Sequence, residues 1–204
     1  MSRTKTFDED RVIDAAVDCF WAHGYEATSV RDLGAAMGIG AASLYNAYGD
    51  KRELFLRSLE RYANRSMRER IARIEARHRP VEAIGTFLGE IVDRSAKDPE
   101  CKGCLLVNSA LDVASRDPEL GKAVASYLGE IRNFFRRSLA AACRAGDLAA
   151  NLDVEVMAGH LLGIVIAVRV LARTGAKRQA LENVARPALE LLRRRPGRRR
   201  RKSS

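Results

Sequence analysis

The chain is 204 residues long, with hydrophobic residues at 47%, aromatics at only 6% and a formal net charge of +10. That length supports a packed core in one domain or two small ones. No apolar run reaches the roughly 18 residues a bilayer-spanning helix needs, and "MSRTKTFDEDRV" has no apolar stretch of signal-peptide type, so a cytoplasmic protein is expected.

The charge is unevenly placed. Eight basic residues lie between Arg193 and Lys202 with no acid among them, and removing them leaves +2 for the rest of the chain. Residues 1–52 hold six basic and eight acidic residues. A DNA reader in that region has to work through a few well-placed contacts, because a general positive field is missing.

Nearly every segment has helical periodicity, and none alternates as a strand does. The first helix is expected over Asp8–His23, with Val12, Ala15, Ala16, Cys19 and Phe20 on one face and Gly24 as its stop. The second runs Ser29–Met37. Ser29 and Asp32 have the form of a capping box, and Val30, Leu33 and Met37 make the buried stripe. After Gly38-Ile39-Gly40 a third helix, Ala41–Tyr48, is barely two turns long. Asp50 caps a fourth that reaches about Arg77, with Leu54, Phe55, Leu59 and Tyr62 inward. Further helices are expected from Pro80 to Ala96, Cys104 to Ala114, Asp117 to Ala145, Asp153 to Arg173 and Lys177 to Arg194. Nine helices, no strand and no internal repeat predict an all-α fold.

Two short helices joined by a tight glycine turn, the second of them small and polar, have the form of a helix-turn-helix. Gly40, Ala41 and Ala42 let the backbone of the third helix come close to DNA. Ser43 and Asn46 offer donors to base edges or phosphates. Tyr45 and Tyr48 combine a ring with a hydroxyl that reaches a phosphate, and Lys51 adds a charge where the next helix starts. Thr28, Ser29 and Arg31 sit at the start of the second helix, where free backbone N–H groups favour phosphate. An ordinary helical hairpin, with Leu44 and part of Tyr48 as core, is the competing reading.

The stretch "ATSVRDLGAAMGIGAASLYNAYGDKRELF" resembles the N-terminal module of the TetR family of bacterial transcriptional regulators. The likeness runs from about Arg11 to Phe55 and takes in Thr28-Ser29, "VRDL", Gly38-Ile39-Gly40, "SLY" and "GDKREL". It departs from many members at Ala47, where a His or another polar residue is common. The basic run "RPGRRRRKSS" by its composition predicts a disordered tail over 196–204. The resemblance implies a helix-turn-helix domain over 1–52 and an effector-binding and dimerisation domain over 53–195. It also implies a ligand-responsive repressor, a homodimer on a near-palindromic operator, with its two reading helices roughly 34–36 Å apart. A small-molecule effector would change that separation and lower affinity.

The fifth to eighth helices are then expected to enclose the effector, with Phe87, Ile91, Leu105, Asn108, Leu111, Phe134 and His160 as candidate lining. Phe87 and Phe134 also read as plain core, and His160 as an interior or interface residue. "GHLLGIVIAVRVLA" is apolar nearly all round, which points to a dimer face carrying Gly159, Gly163, Ile166 and Val170, joined by Leu189 on the last helix. A buried Arg169 would need a partner, with Asp153, Glu155, Glu182 and Glu190 as candidates. "CKGC" offers an alternative function, a thiol-based electrophile or redox sensor using Cys104 with Cys101 nearby; the competing reading is a small buried residue and a loop cysteine. A helical small-molecule binder without specific DNA recognition is the other alternative. No catalytic triad, metal set, phosphate loop or cofactor motif is present in the sequence, so no enzyme, cofactor or metal is expected.

Overall fold

A computed structural model describes residues 9–114 and 116–193. The expectations for Asp8 and for the basic tail lie outside these residues. Among the described residues the regular structure is helical throughout. The helices are α1 (Glu9–His23), α2 (Val30–Met37), α3 (Ala41–Tyr48), α4 (Lys51–Ala63), α5 (Pro80–Ala96), α6 (Leu105–Asp112), α7 (Pro118–Arg144), α8 (Val154–Arg173) and α9 (Arg178–Arg193).

Helix α4 differs from its expected form. It passes through a π turn, Asn64–Arg68, into a last stretch, Glu69–Glu75, rather than continuing as an unbroken α-helix. Side-chain bonding holds the turn: Arg68 donates to both Glu60 and the Asn64 side chain, and Asn64 also donates to Glu60. Such widened turns often sit at functional points of a helix.

The chain divides into two compact units. One takes the chain up to residue 69 together with 102–128, and the other takes 70–101 and the residues from 129 onward. In the first, α1 packs on α2 and α4, and α6 packs on α1 and α4. Its centre is aromatic. Phe20 meets Phe55 edge-on at 4.9 Å between ring centroids, Tyr25 lies 4.7 Å from Phe55, and Trp21 meets Tyr62 at 5.1 Å. Quadrupolar rings favour these tilted arrangements over flat stacking.

In the second unit α5, α8 and α9 pack on one another. Phe87 of α5 meets Phe134 and Phe135 of α7 at 5.1 and 5.5 Å. All three rings are fully buried. Arg169 of α8 is buried too, only 6% exposed, and its guanidinium donates to Ser95 of α5 at 3.1 Å. None of the four acids expected to pair with it does so. Asp153 caps α8, Glu155 faces Arg132 and Arg136, Glu182 pairs with Arg178, and Glu190 lies against Arg186.

By length and composition α8 is apolar enough to cross a membrane, which corrects the shorter apolar run read from the sequence. Its charges, Glu155, Arg169 and Arg173, sit towards its ends and leave the middle unbroken.

Candidate nucleic-acid interface

The turn between α2 and α3 is built by small residues. Ser29 caps α2: its hydroxyl accepts the Asp32 amide at 3.1 Å, and Asp32 accepts the Ser29 amide at 3.0 Å. These bonds to Ser29 hold the Asp32 carboxyl below its usual range. Gly38 ends α2 in the left-handed region, φ 68°, which costs glycine nothing. Gly34, buried in α2, matters as much. The Gly38 and Ile39 amides both donate to its carbonyl, and a methyl group built on Gly34 would stand 2.9 Å from the Ile39 carbonyl oxygen. The chain therefore turns back so tightly that only glycine fits at that point. Sequence reading passed over Gly34 because nothing in the pattern of apolar residues marks it.

Helix α3 starts at Gly40 and turns only Leu44 and Tyr48 inward. Ala41, Ala42, Ser43, Tyr45, Asn46 and Ala47 all face solvent. Tyr45 is 51% exposed although it is a large ring, and among the described residues neither it, Ser43 nor Asn46 has a side-chain hydrogen bond. The result is a two-turn face with small residues at its N-terminal end and three uncommitted polar side chains behind them. Arg31, on the first turn of α2, is also exposed and carries no ion pair among the described residues.

The remaining expected contact residues have other work. Thr28 is buried, and its hydroxyl donates to the Gly24 carbonyl at 2.6 Å. The Ser29 side chain is used by the cap. Tyr48 is buried with Arg57 lying 5.6 Å from its ring, and burial pushes its phenol pKa up. Lys51 reaches back over the Tyr25 ring at 4.4 Å and to the Glu26 carbonyl at 3.4 Å. These residues shape the module, and the uncommitted face is narrower than the full set of eleven.

Polar contacts distant in sequence fix this module to α6 and the start of α7. The Trp21 indole donates to the Lys102 carbonyl at 3.1 Å. Asp112, at the end of α6, accepts the Tyr25 amide at 3.0 Å beside Gly24, whose φ of 81° suits glycine. Arg52, in the first turn of α4, donates to Asp117 at 2.8 Å. That bond, with the Leu120 and Glu119 amides that Asp117 caps, holds its carboxyl down to about 2.

The seven expected effector-lining residues do not gather at one place. Phe87, Ile91 and Phe134 are core of the second unit. Leu105 is core of the first, and Asn108 spends its amide on the Lys102 carbonyl at 2.8 Å, holding the "CKGC" loop. Leu111 is 74% exposed and His160 is exposed, so neither lines an interior, and of the two expected places for His160, interior or interface, the interior is excluded. Cys104 is buried as the cap residue of α6 and Cys101 is half-buried with φ 50°; both are free thiols.

On α8 the outward residues include Val156, Gly159, His160, Gly163, Ile166 and Val170, spaced as one face of a helix. Val156 is 68% exposed, and Gly159 and Gly163 have open space above them. Leu189 is half-buried and lies near Gly85 of α5, so it serves its own chain's packing.

Residues 12–57 match the family described as bacterial regulatory proteins, tetR family, and residues 80–188 match the tetracyclin repressor-like C-terminal domain. Over 194 residues the chain is 31% identical to the uncharacterized HTH-type transcriptional regulator YezE of Bacillus subtilis, covering 94% of this chain and all of that one. It is 28% identical to the HTH-type transcriptional repressor ComR of Escherichia coli, over 93% of this chain and 90% of the other. Among solved structures, a cysteine variant of the TetR family regulator CifR, bound to a 26-base-pair operator duplex, superposes with a TM-score of 0.84 at 32% identity, covering 92% of this chain and 98% of that one.

Proposed function

The chain belongs to the TetR family of bacterial transcriptional regulators, and from that premise we infer that it is a homodimeric repressor whose α3 enters the major groove of a near-palindromic operator. It is a DNA-binding regulator and no enzyme. It works where its operator is, in the bacterial cytoplasm. The observation that carries the reading is the outward face of α3: small residues first, then Ser43, Tyr45 and Asn46 exposed with no bonding partner among the described residues. Polar side chains left unspent on a rigid short helix are what a base-reading helix needs. Arg31 supplies a phosphate contact from α2, and Ala41 and Ala42 permit close approach. Thr28, Ser29, Tyr48 and Lys51 act mainly by holding the shape.

Residues 1–52 are the reading domain in this proposal, and 53–195 serve effector binding and dimerisation. The exposed apolar face of α8 is the surface a second copy covers. Gly159 and Gly163 let two such helices approach closely. An effector acts by favouring one dimer shape over another, a coupling typically of about 1–3 kcal/mol.

The test is selection of bound duplexes from a random pool at moderate salt, run on the full chain and on a chain ending at residue 193. An enriched palindrome in both samples supports the dimeric reader. Absence of enrichment, or enrichment only with the basic tail, overturns it.

A further inference from the structure

A groove of about 420 Å³ opens in the second unit where the last turn of the α4 extension, the start of α5 and the C-terminal half of α7 meet. Along α7, Arg137 stands three and four residues before Ala140 and Ala141, and Arg144 four and three residues after them, so they share a face. A guanidinium stands at each end and two methyl groups lie between them. Pro80 and Ala83 of α5 complete the apolar wall. Seven residues of helix set the two arginines about 10 Å apart.

The two ends are not equivalent. Arg137 donates to Glu75, the acid in the lining, at 3.0 Å. Arg144 has no carboxylate partner among the described residues. Arg136 also lines the groove but leans to Glu155 at 3.7 Å. Among the described residues Arg144 is thus a lining arginine with no carboxylate partner, and Arg136 shares its acid with Arg132.

Ser138 supplies the independent observation. It lines the groove, is only 6% exposed, and its hydroxyl has no hydrogen-bond partner among the described residues. Ser58 and Ser109, also buried on helices, return their hydroxyls to the carbonyl one turn back at 2.8 and 2.7 Å. The Ser138 oxygen is not sealed from solvent, so water or a ligand in the groove meets it. Here the opening beside it is the groove.

We propose that this groove binds a small monoanion, a carboxylate on an apolar body of about 8–10 Å, with the head at Arg144, the body along Ala140, Ala141 and Ala83, and a polar atom within reach of Ser138. A free cation at one end, a neutralised pair at the other and methyl groups between favour an anionic head on an apolar chain over a bare ion. The proposal deepens the effector reading above and rests on it for the consequence, a lowered affinity for the operator. Binding itself is read on the free protein without DNA, so failure of operator recognition and failure of this site are separate results.

The experiment is calorimetric titration of the full chain with octanoate, with acetate as the head alone and octanol as the body alone. Octanoate is expected to bind saturably, one per chain, where acetate and octanol do not at the same concentrations. Arg144→Ala, an exposed change, weakens octanoate about tenfold or more. Ala141→Leu fills the seat and removes binding, and Lys122→Ala, on the same helix outside the groove, leaves it unchanged. Circular dichroism melting confirms each fold; if the Leu variant does not fold, Arg144→Ala decides alone. Equal binding of octanol, equal binding of acetate, no loss in Arg144→Ala, or no saturable octanoate binding each overturns the proposal. So does a change of oligomeric state in Ala141→Leu with no octanoate binding, which assigns the groove to a second copy.

Discussion

Helices α3 and α8 both show the solvent residues that a self-contained protein would rather cover, but they show different kinds. The eight residues of α3 bury only Leu44 and Tyr48, and what remains outside is small or polar. The twenty residues of α8 bury seven, yet Val156 and Val170 still stand outside beside two glycines. A polar face without partners waits for a polar ligand whose hydrogen-bonding pattern it matches. An apolar face without partners waits for another apolar face, since burying area is its whole gain. In the reading proposed above, α3 sets specificity and α8 sets assembly. Operator affinity depends on both, because two weak readers become a strong one only when they are joined.

The largest effect comes from separating them. Gly163→Glu places a charge on the open face of α8, where nothing in the chain lies above the glycine. The isolated fold survives, while the dimer faces a buried unpaired charge. Sedimentation is expected to show a monomer with unchanged helical content. Operator affinity falls by about a hundredfold to ten-thousandfold, the scale on which joined sites lose their advantage. A dimer that persists in this variant removes α8 from the interface.

Next is Tyr45→Ala, which leaves the dimer alone and attacks the reading face. The ring is half exposed and buries little, so the melting temperature should hold within a degree or two. Losing a base or phosphate contact in each half-site costs about 1–3 kcal/mol apiece. Fluorescence anisotropy with the selected duplex reads the loss. Binding equal to wild type would move the reading role to Asn46 and Ser43. Gly34→Ala should act less on DNA directly and more on shape. Its methyl meets the Ile39 carbonyl at 2.9 Å, so the α2–α3 turn must open, at about 1–3 kcal/mol of stability. Thermal melting and anisotropy should fall together, whereas in Tyr45→Ala only anisotropy falls.

The sequence made α3 far easier to read than its supports. Glycines at the turn, the Ser29–Asp32 spacing and the apolar stripe of Leu33 and Met37 are local signals, and all took the expected form. The helices of the C-terminal part were legible for the same reason. What connects them was not. Arg52 to Asp117, Trp21 to Lys102 and Tyr25 to Asp112 join residues 65 to 87 positions apart, and periodicity carries no information at that range. The same blindness explains Arg169. Four acids nearby in sequence or on facing helices were reasonable partners, yet a neutral serine on α5 took the bond. Charge pattern says which residues need partners and is silent about which side chain the fold brings within 3 Å. The lining residues failed for a different reason: an apolar residue on a helix reads alike whether it fills a core, as Phe134 does, or stands in water, as Leu111 does.

The smallest effect is one of these unread links. Asp117 caps α7 and holds Arg52 at the start of α4, and its carboxyl is held down to about 2 by that bond and the amides it caps. A carboxyl depressed on folding contributes stability that is complete above its unfolded pKa, near 3.9, and that is lost as pH falls through the folded value. The loss window is therefore about pH 4 to 2. Asp117→Asn keeps a cap for α7 but gives up the charge. Its stability at pH 7 should drop slightly, since the pair is exposed to solvent and salt. Between pH 4 and 2 its denaturation midpoint should fall less steeply than that of the wild type, and the two curves should converge at the acid end. Parallel curves throughout that window would show that Asp117 acts as a cap alone, and that the Trp21 and Tyr25 bonds to Lys102 and Asp112 hold the module without the Arg52 charge.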